Sequence, residues 1–173
     1  PNMPTPATAL VYPGQVIWEG TNISEGRGTA LPFLLFGAPF LDQREVLDFT
    51  ARTPLPGCVF RPVVFEPTAG KWSDAPCRGF QIHVTDQDAF LPYRTALVFL
   101  QAVLSLYPEA FAYKDPPYEY EYERLPLDLI LGDREVRLGV EEGIDILELE
   151  GSWRHELADF ARRRTTVFLY DAP

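Results

Sequence analysis

The chain has 173 residues, of which 46% are apolar and 23% are charged, and its formal net charge is −10. This composition is typical of one globular domain with its own core, so residues 1–173 are predicted to form a single domain. The acidic balance excludes nucleic acid as a partner, because phosphate binding depends on Lys and Arg, and it offers nothing to an anionic membrane surface. The longest apolar run, Ala96 to Leu106, is too short to span a membrane.

The first elements in chain order are a predicted strand, a loop and a helix. Tyr12 to Trp18 is predicted as a strand, which leads into a glycine-rich loop from Glu19 to Thr29. The apolar run LPFLLFGAPF follows that loop. Asp42 with Glu45 three residues later is typical of a helix N-terminus, so a helix is expected to begin there.

Two strands are predicted next. The run GCVFRPVVFEP is rich in β-formers, and Pro62 favours an edge strand or a bulge. The run RGFQIHVTD alternates between an apolar and a polar face. These faces consist of Phe80, Ile82 and Val84 on one side and Gln81, His83 and Thr85 on the other.

The second half predicts a buried helix followed by a strand. From Tyr93 to Tyr107 the spacing is helical and apolar almost all round, which predicts a central buried helix. The run YEYEYE predicts a strand with a tyrosine face made by Tyr118, Tyr120 and Tyr122. Those rings are expected to pack across strands, with stacking on sugar rings as the alternative.

Three helices and a strand complete the prediction. Short helices are expected at 127–131 and 134–142, with Gly143 as a stop signal. A last helix is expected from Trp153 to Arg163, with Trp153, Leu157 and Phe160 on its inner face, and TVFLY is expected to be a strand. Without a regular βαβ rhythm, the fold class is predicted as α+β, with a mixed sheet and packed helices.

The motifs of several common enzyme classes are absent from the sequence. The glycine-rich loop lacks G-x-x-x-x-G-K-[ST], HELAD lacks the last histidine of H-E-x-x-H, and no G-x-S-x-G occurs. The chain has two histidines and two cysteines, Cys58 and Cys77, at spacings that do not suggest a metal site. We therefore expect no metal, no cofactor and no complete catalytic apparatus in this chain.

The loop EGTNISEGRGT is the main candidate site. Thr21, Asn22, Ser24 and Thr29 offer directed hydrogen bonds, and the Arg27 guanidinium matches a carboxylate with two parallel bonds. The alternative is a long turn whose side chains bond their own backbone while Arg27 pairs with a surface acid. Gln81 and His83 are a second candidate, as the polar lining of a cleft, with a solvent-covered sheet face as the alternative.

Several blocks of the sequence, in order, resemble one protein family. They are PNMPT, WEGTNISEGRGT, Phe65 with Pro67 and Lys71, C.GFQIHVTD, PPYEYEYE and the terminal W…L..F…R…FLY. Over essentially the whole chain they resemble the C-terminal domain of the exo-β-N-acetylmuramidase (NamZ-like) family. The resemblance implies the second domain of a larger protein, after a Rossmann-like domain that holds the catalytic glutamate, with the active site in the cleft between the domains.

The resemblance also implies a function and a set of site residues. Family members remove N-acetylmuramic acid from the non-reducing end of peptidoglycan fragments, so muropeptides or glycan ends and the missing N-terminal domain are the expected partners. This cell-wall substrate suits an extracellular or periplasmic parent protein. The expected substrate-binding wall consists of Glu19, Thr21, Asn22, Ser24, Arg27, Thr29, Gln81 and His83. Arg27 is expected to bind the lactyl carboxylate, and the rival interpretation is a non-catalytic glycan- or protein-binding module.

Overall fold

The structure is a computed structural model that describes residues 3–170, so the first two residues of the PNMPT block lie outside the described residues. Its sheet consists of β1 (Leu35–Ala38), β2 (Cys58–Phe65) and β3 (Cys77–Val84). The strand order is β1-β3-β2, and both pairings are antiparallel, so the sheet is antiparallel rather than mixed. Pro62 lies on edge strand β2, as predicted, where its missing N–H costs no ladder bond.

Six helices accompany the sheet in the described part of the chain, and together they confirm the α+β class. They are α1 (Pro6–Gln15), α2 (Gln43–Thr50), α3 (Pro92–Leu106), α4 (Pro126–Leu131), α5 (Arg134–Glu141) and α6 (Ile146–Arg164). Asp42 caps α2 by accepting the N–H groups of Arg44 and Glu45, which confirms the predicted N-terminus. Within residues 3–170 no helix combines the length and the apolar character that a membrane span requires.

The core is built around α3, which confirms the predicted central helix. Phe99 of α3 is fully buried and contacts three aromatic rings of the sheet, with centroid distances of 4.7 to Phe60, 5.0 to Phe36 and 5.3 Å to Phe80. Trp18 stacks on Phe36 with a centroid distance of 5.4 Å. These rings hold the glycine-rich loop, which begins directly after Trp18, against the sheet.

Strands β1 and β3 approach each other closely at Gly37 and Gly79, which are register partners. A Cβ atom at Gly79 would overlap the Phe36 carbonyl, and one at Gly37 would overlap the Arg78 carbonyl. The pairing therefore requires glycine at both positions.

The strand predicted for Tyr12 to Trp18 is wrong. Residues 12–15 complete helix α1, and a 3-10 turn, Val16–Gly20, follows. Thr5 caps α1 by accepting the Thr8 N–H, and a proline stands in its first turn, where it fits a helix. The buried positions 11, 14, 15 and 18 have helical spacing, which Pro13 and Gly14 obscure in the sequence.

The C-terminal predictions are correct only in part. The two short helices appear as α4 and α5, and Gly143 has a positive φ of 75° after α5. Helix α6 begins earlier than predicted, and only Trp153 of its expected inner face packs inward, against Tyr93 at 5.8 Å. Leu157 and Phe160 are 59% and 54% exposed, and TVFLY begins as a 3-10 turn instead of a strand.

Cys58 and Cys77 are free thiols. Cys58 pairs with Val84 and Cys77 pairs with Phe65, which places the two thiols at opposite ends of the β2–β3 pair. That separation, at roughly 3.3 Å per residue of strand, far exceeds the reach of a disulfide. The two cysteines therefore do not bond to each other in this fold.

Candidate functional site

The hydroxyl groups of the glycine-rich loop bond to the loop itself. Thr21, Ser24 and Thr29 each accept the backbone N–H two residues ahead, at 3.1, 3.2 and 3.1 Å. Thr21 and Thr29 also donate to the carbonyl three residues earlier, at 3.0 and 2.6 Å. These bonds are those of the turn-forming alternative from the sequence, in which the hydroxyls fix the shape of the loop.

The backbone of the loop is tied on both sides. Ser24 and Gly37 exchange two backbone hydrogen bonds, of 2.8 and 3.0 Å, so the loop runs beside strand β1. On the other side, the Asn22 N–H donates to the Ala112 carbonyl and the Lys114 N–H donates to the Gly20 carbonyl, both at 2.9 Å. The loop is therefore a rigid, largely buried part of the domain.

Arg27 forms ion pairs with two acids of the same loop. Its Nη2 donates to Glu19 Oε1 at 2.5 Å, and its Nε lies 3.3 Å from Glu25 Oε1. The guanidinium lies 5.0 Å from the centre of the Phe33 ring. The hydrogen bond to Glu19 is the main reason why the pKa of Arg27 is raised. Arg27 is thus already paired, although its side chain remains 42% exposed.

The side chain of Lys71 holds the glycine-rich loop in place. Its ammonium donates to the carbonyls of Trp18 and Ile23, at 2.6 and 3.0 Å, and to Glu25 Oε2 at 2.8 Å. Burial lowers the pKa of Lys71, and the charge of Glu25 opposes that shift. All three ammonium protons of Lys71 therefore have acceptors. The positive charges of Arg27 and Lys71 balance the carboxylates of Glu19 and Glu25.

A cleft of about 510 Å³ opens beside the loop. It is lined by Thr21, Asn22, Lys71, Trp72, Tyr113 and Lys114. The lining therefore combines two ammonium groups, two aromatic rings, a hydroxyl and an amide, and it contains no carboxylate. In a protein whose net charge is −10, this is a local environment suited to an anionic ligand with an apolar face.

Asn22 has the most unusual hydrogen bonding in the cleft. Its side-chain Nδ2 donates to the Ala110 carbonyl at 2.8 Å, and its backbone carbonyl accepts a hydrogen bond from Trp72 Nε1 at 2.6 Å. Its Oδ1 is buried yet accepts no hydrogen bond from the described residues. An unpaired buried acceptor costs about 1–3 kcal/mol, so Asn22 can gain from a donor supplied by a ligand or by another part of the protein.

Gln81 and His83 do not join this cleft. Both belong to β3 and project from the polar face of the strand. Gln81 accepts a hydrogen bond from Arg61 Nη2 of β2, and His83 is exposed opposite Val59. Of the predicted site residues, Glu19 and Arg27 meet in the ion-pair cluster, and Thr21 and Asn22 line the cleft.

Several residues around the cleft were not predicted from the sequence as site residues. They are Glu25, Lys71, Trp72, Tyr113 and Lys114. Lys71 belongs to one of the blocks that carry the family resemblance, and this was the available signal. Tyr113 stands just before the run KDPP and Lys114 is its first residue. The turn character of that run conceals that Tyr113 forms a bridge with Thr21. Among residues 3–170, no group of three or more His, Cys, Asp or Glu side chains is placed to hold a metal ion.

Comparisons with known proteins agree on one family. The family described as "Exo-beta-N-acetylmuramidase NamZ, C-terminal" matches residues 10–170. The peptidoglycan beta-N-acetylmuramidase NamZ of Bacillus subtilis (strain 168) is 36% identical over 170 residues, which cover 98% of this chain. The chain spans only 39% of the length of that relative.

Two solved structures share the fold of this chain. A DUF1343 family protein from Bacteroides fragilis NCTC 9343 is 25% identical and aligns with a TM-score of 0.82, covering 98% of this chain and 44% of that one. A second DUF1343 family protein from the same organism shares the fold, with a TM-score of 0.65 at 20% identity, over 100% of this chain and 45% of that one. The family match, the identity and the shared fold confirm the resemblance seen in the sequence: this chain belongs to the family of C-terminal domains of exo-β-N-acetylmuramidase NamZ.

Proposed function

We propose that this chain is the substrate-binding C-terminal domain of an exo-acting β-N-acetylmuramidase. The complete enzyme would be a glycoside hydrolase that removes N-acetylmuramic acid from the non-reducing end of peptidoglycan fragments. The proposal is supported by family membership and by the relative named as a peptidoglycan beta-N-acetylmuramidase. Because more than half of that relative lies outside the matched part, a Rossmann-like N-terminal domain would complete the active site.

The cleft beside the loop carries this proposal. N-acetylmuramic acid has a lactyl carboxylate, and the exposed ammonium of Lys114 is the available partner for it, since the protons of Lys71 are already used. The Trp72 ring offers an apolar surface to the sugar.

The predicted loop residues take a revised role in this proposal. Thr21, Ser24 and Thr29 would hold the shape of the wall, and Asn22 would contact the sugar. Glu19 and Arg27 would form a neutral ion pair at its edge. Gln81 and His83 remain predictions for an extension of this wall along β3.

The catalytic carboxylates would come from outside this chain. Glycosidases of the common type use a pair of carboxyl groups that flank the scissile bond, and the lining of the cleft contains none. The domain described here would therefore position the sugar, while the general acid belongs to the missing domain. The rival interpretation, a non-catalytic glycan- or protein-binding module, requires the same cleft but no hydrolysis.

The test compares this 173-residue chain with the longer polypeptide that contains it. Both are incubated with a chromogenic β-N-acetylmuraminide and with muropeptides, and released N-acetylmuramic acid is measured. The longer polypeptide is expected to release the sugar, and the chain alone is expected to bind it weakly without turnover. Release by the chain alone would contradict this division of roles, and binding without hydrolysis by the longer polypeptide would favour the binding module.

A further inference from the structure

The segment Tyr118–Glu123 is a closed turn, so the strand predicted from YEYEYE is wrong. The backbones of Tyr118 and Glu121 exchange two hydrogen bonds, of 2.9 and 3.0 Å. The Glu121 carboxylate accepts the N–H groups of the next two residues, both at 3.0 Å, and Arg124 Nε at 2.9 Å. Glu121 was predicted to lie on the solvated face of a strand. Its carboxylate instead closes the turn by accepting hydrogen bonds from the backbone N–H groups.

This turn displays two tyrosines to solvent. Tyr120 is 92% exposed and Tyr122 is 71% exposed, so neither ring packs across a sheet. The cross-strand packing expected from the sequence is therefore wrong for these two rings, and the alternative was stacking on sugar rings. Tyrosine suits that role, since it presents a large amphipathic surface that loses little conformational entropy on binding.

The turn is continuous with the cleft. Lys114, which lines the cleft, has its Nζ 5.4 Å from the centre of the Tyr118 ring. The Tyr118 hydroxyl donates to Glu19 Oε2 at 3.0 Å, and Glu19 also holds Arg27. A ligand that occupies the cleft and continues past Lys114 would next meet the tyrosine turn.

The charge along this surface changes sign. The cleft presents the ammonium group of Lys114, whereas the exposed carboxylates of Glu119 and Glu123 flank the two tyrosines. A sugar with a carboxylate is attracted to the lysine end and repelled from the turn. An uncharged sugar can approach the turn without that penalty.

We propose that Tyr120 and Tyr122 form a second sugar subsite, which stacks on the uncharged N-acetylhexosamine that follows the muramic residue in the glycan. This inference rests on the proposed function, and it deepens it by assigning an orientation. The carboxylated sugar binds at Lys114 and the neutral one at the tyrosine turn.

The test uses the longer polypeptide with the double substitution Tyr120→Ala and Tyr122→Ala. Two substrates are compared: a disaccharide of N-acetylmuramic acid linked to N-acetylglucosamine, and methyl β-N-acetylmuraminide, which has no second ring. The KM for the disaccharide is expected to rise about tenfold, since stacking on aromatic rings contributes on the order of that factor, with the KM for the methyl glycoside unchanged. The pair Tyr120→Phe and Tyr122→Phe should restore the KM for the disaccharide.

The matched control is Tyr170→Ala, which removes another exposed tyrosine, 86% accessible, outside the turn. It should leave both KM values unchanged. Equal changes for the two substrates in the double variant, or no change for either, would overturn the second subsite while leaving the hydrolase in place. If the unmodified polypeptide hydrolysed neither substrate, the proposed function itself would fail, and the subsite with it.

Discussion

Arg27 is the residue whose surroundings differ most from those expected from the sequence. A guanidinium in a glycine-rich loop suggested a receptor for a substrate carboxylate, but two internal carboxylates already occupy it. Sequence spacing brings Glu19 and Glu25 close to Arg27 along the chain, yet only the folded loop points both acids at it. In the folded loop Arg27 is paired with these two acids, and its contact with a substrate carboxylate stays a prediction.

This pairing makes a specific prediction for Arg27→Ala in the longer polypeptide. Removing the guanidinium leaves Glu19 uncompensated and weakens the balance of Glu25, so an anionic muramic substrate should be repelled. We expect KM for muramic substrates to rise about tenfold, with a smaller effect on uncharged glucosamine analogues and a weaker effect at high salt. Steady-state kinetics at two ionic strengths measure this.

The combined variant Arg27→Ala and Glu19→Gln separates an indirect role from a direct one, because Lys71 still balances Glu25 and the cluster stays neutral. If Arg27 acts by neutralising Glu19, removing that charge should bring KM for muramic substrates back towards the original value. If Arg27 instead binds the substrate carboxylate, the combined variant will stay as impaired as Arg27→Ala.

At the scale of elements, the sequence predicted the helices and strands whose signals lie within one short segment. The Asp42 cap was predicted because its signal lies within one short segment. Strand β3 was predicted because its alternation includes an apolar face, and the core buries Phe80 and Ile82 of that face. Helix α1 was missed because Pro13 and Gly14 suggest a turn, although tertiary packing keeps the helix through both. YEYEYE was misread because alternation alone cannot reveal that Glu121 bonds to the backbone of its own turn.

The same distinction applies to the candidate site. The glycine-rich loop was located correctly because its composition is local to one segment. The cleft could not be predicted, because Lys71, Tyr113 and Lys114 reach it from distant parts of the chain through contacts to the loop backbone. Which loop side chains face a ligand also depends on those contacts.

Burial divides the apolar residues of the helices into two groups with different expected energetics. Phe99 of α3 is 0% exposed among other rings, so Phe99→Ala should lower the free energy of unfolding by about 3–5 kcal/mol. Phe160 of α6 is 54% exposed, so Phe160→Ala should lower it by less than about 1 kcal/mol. Urea unfolding of both variants measures the difference, and similar losses would contradict the arrangement of α6.

At the scale of the whole molecule, the buried thiol of Cys77 and the partly buried phenols of Tyr93 and Tyr118 make stability depend on high pH. Burial raises the pKa of Cys77 from 9.0 to about 11. Burial, with smaller contributions from Asp133 and Glu19 respectively, raises the pKa of Tyr93 and Tyr118 from 10.0 to about 12. Lys71 acts in the opposite direction, because burial lowers its pKa.

These shifts predict that the free energy of unfolding falls as the pH rises from 9 to 12. The folded state holds the three protons more tightly than the unfolded state, so unfolding releases protons in this range and becomes more favourable with increasing pH. The stabilisation from these three groups is complete below pH 9 and is lost as the pH passes their raised pKa values. The lowered pKa of Lys71 acts in the opposite direction and reduces the slope.

Urea unfolding, followed by tryptophan fluorescence at constant salt across this range, measures the slope. The control is Tyr93→Phe, which keeps the ring beside Trp153 but removes the phenol. Its slope between pH 10 and 12 should be shallower than that of the original chain, because one of the tightly held protons is gone. A free energy of unfolding that stays level or rises over this interval would show that the buried thiol and phenols do not hold their protons as their surroundings require.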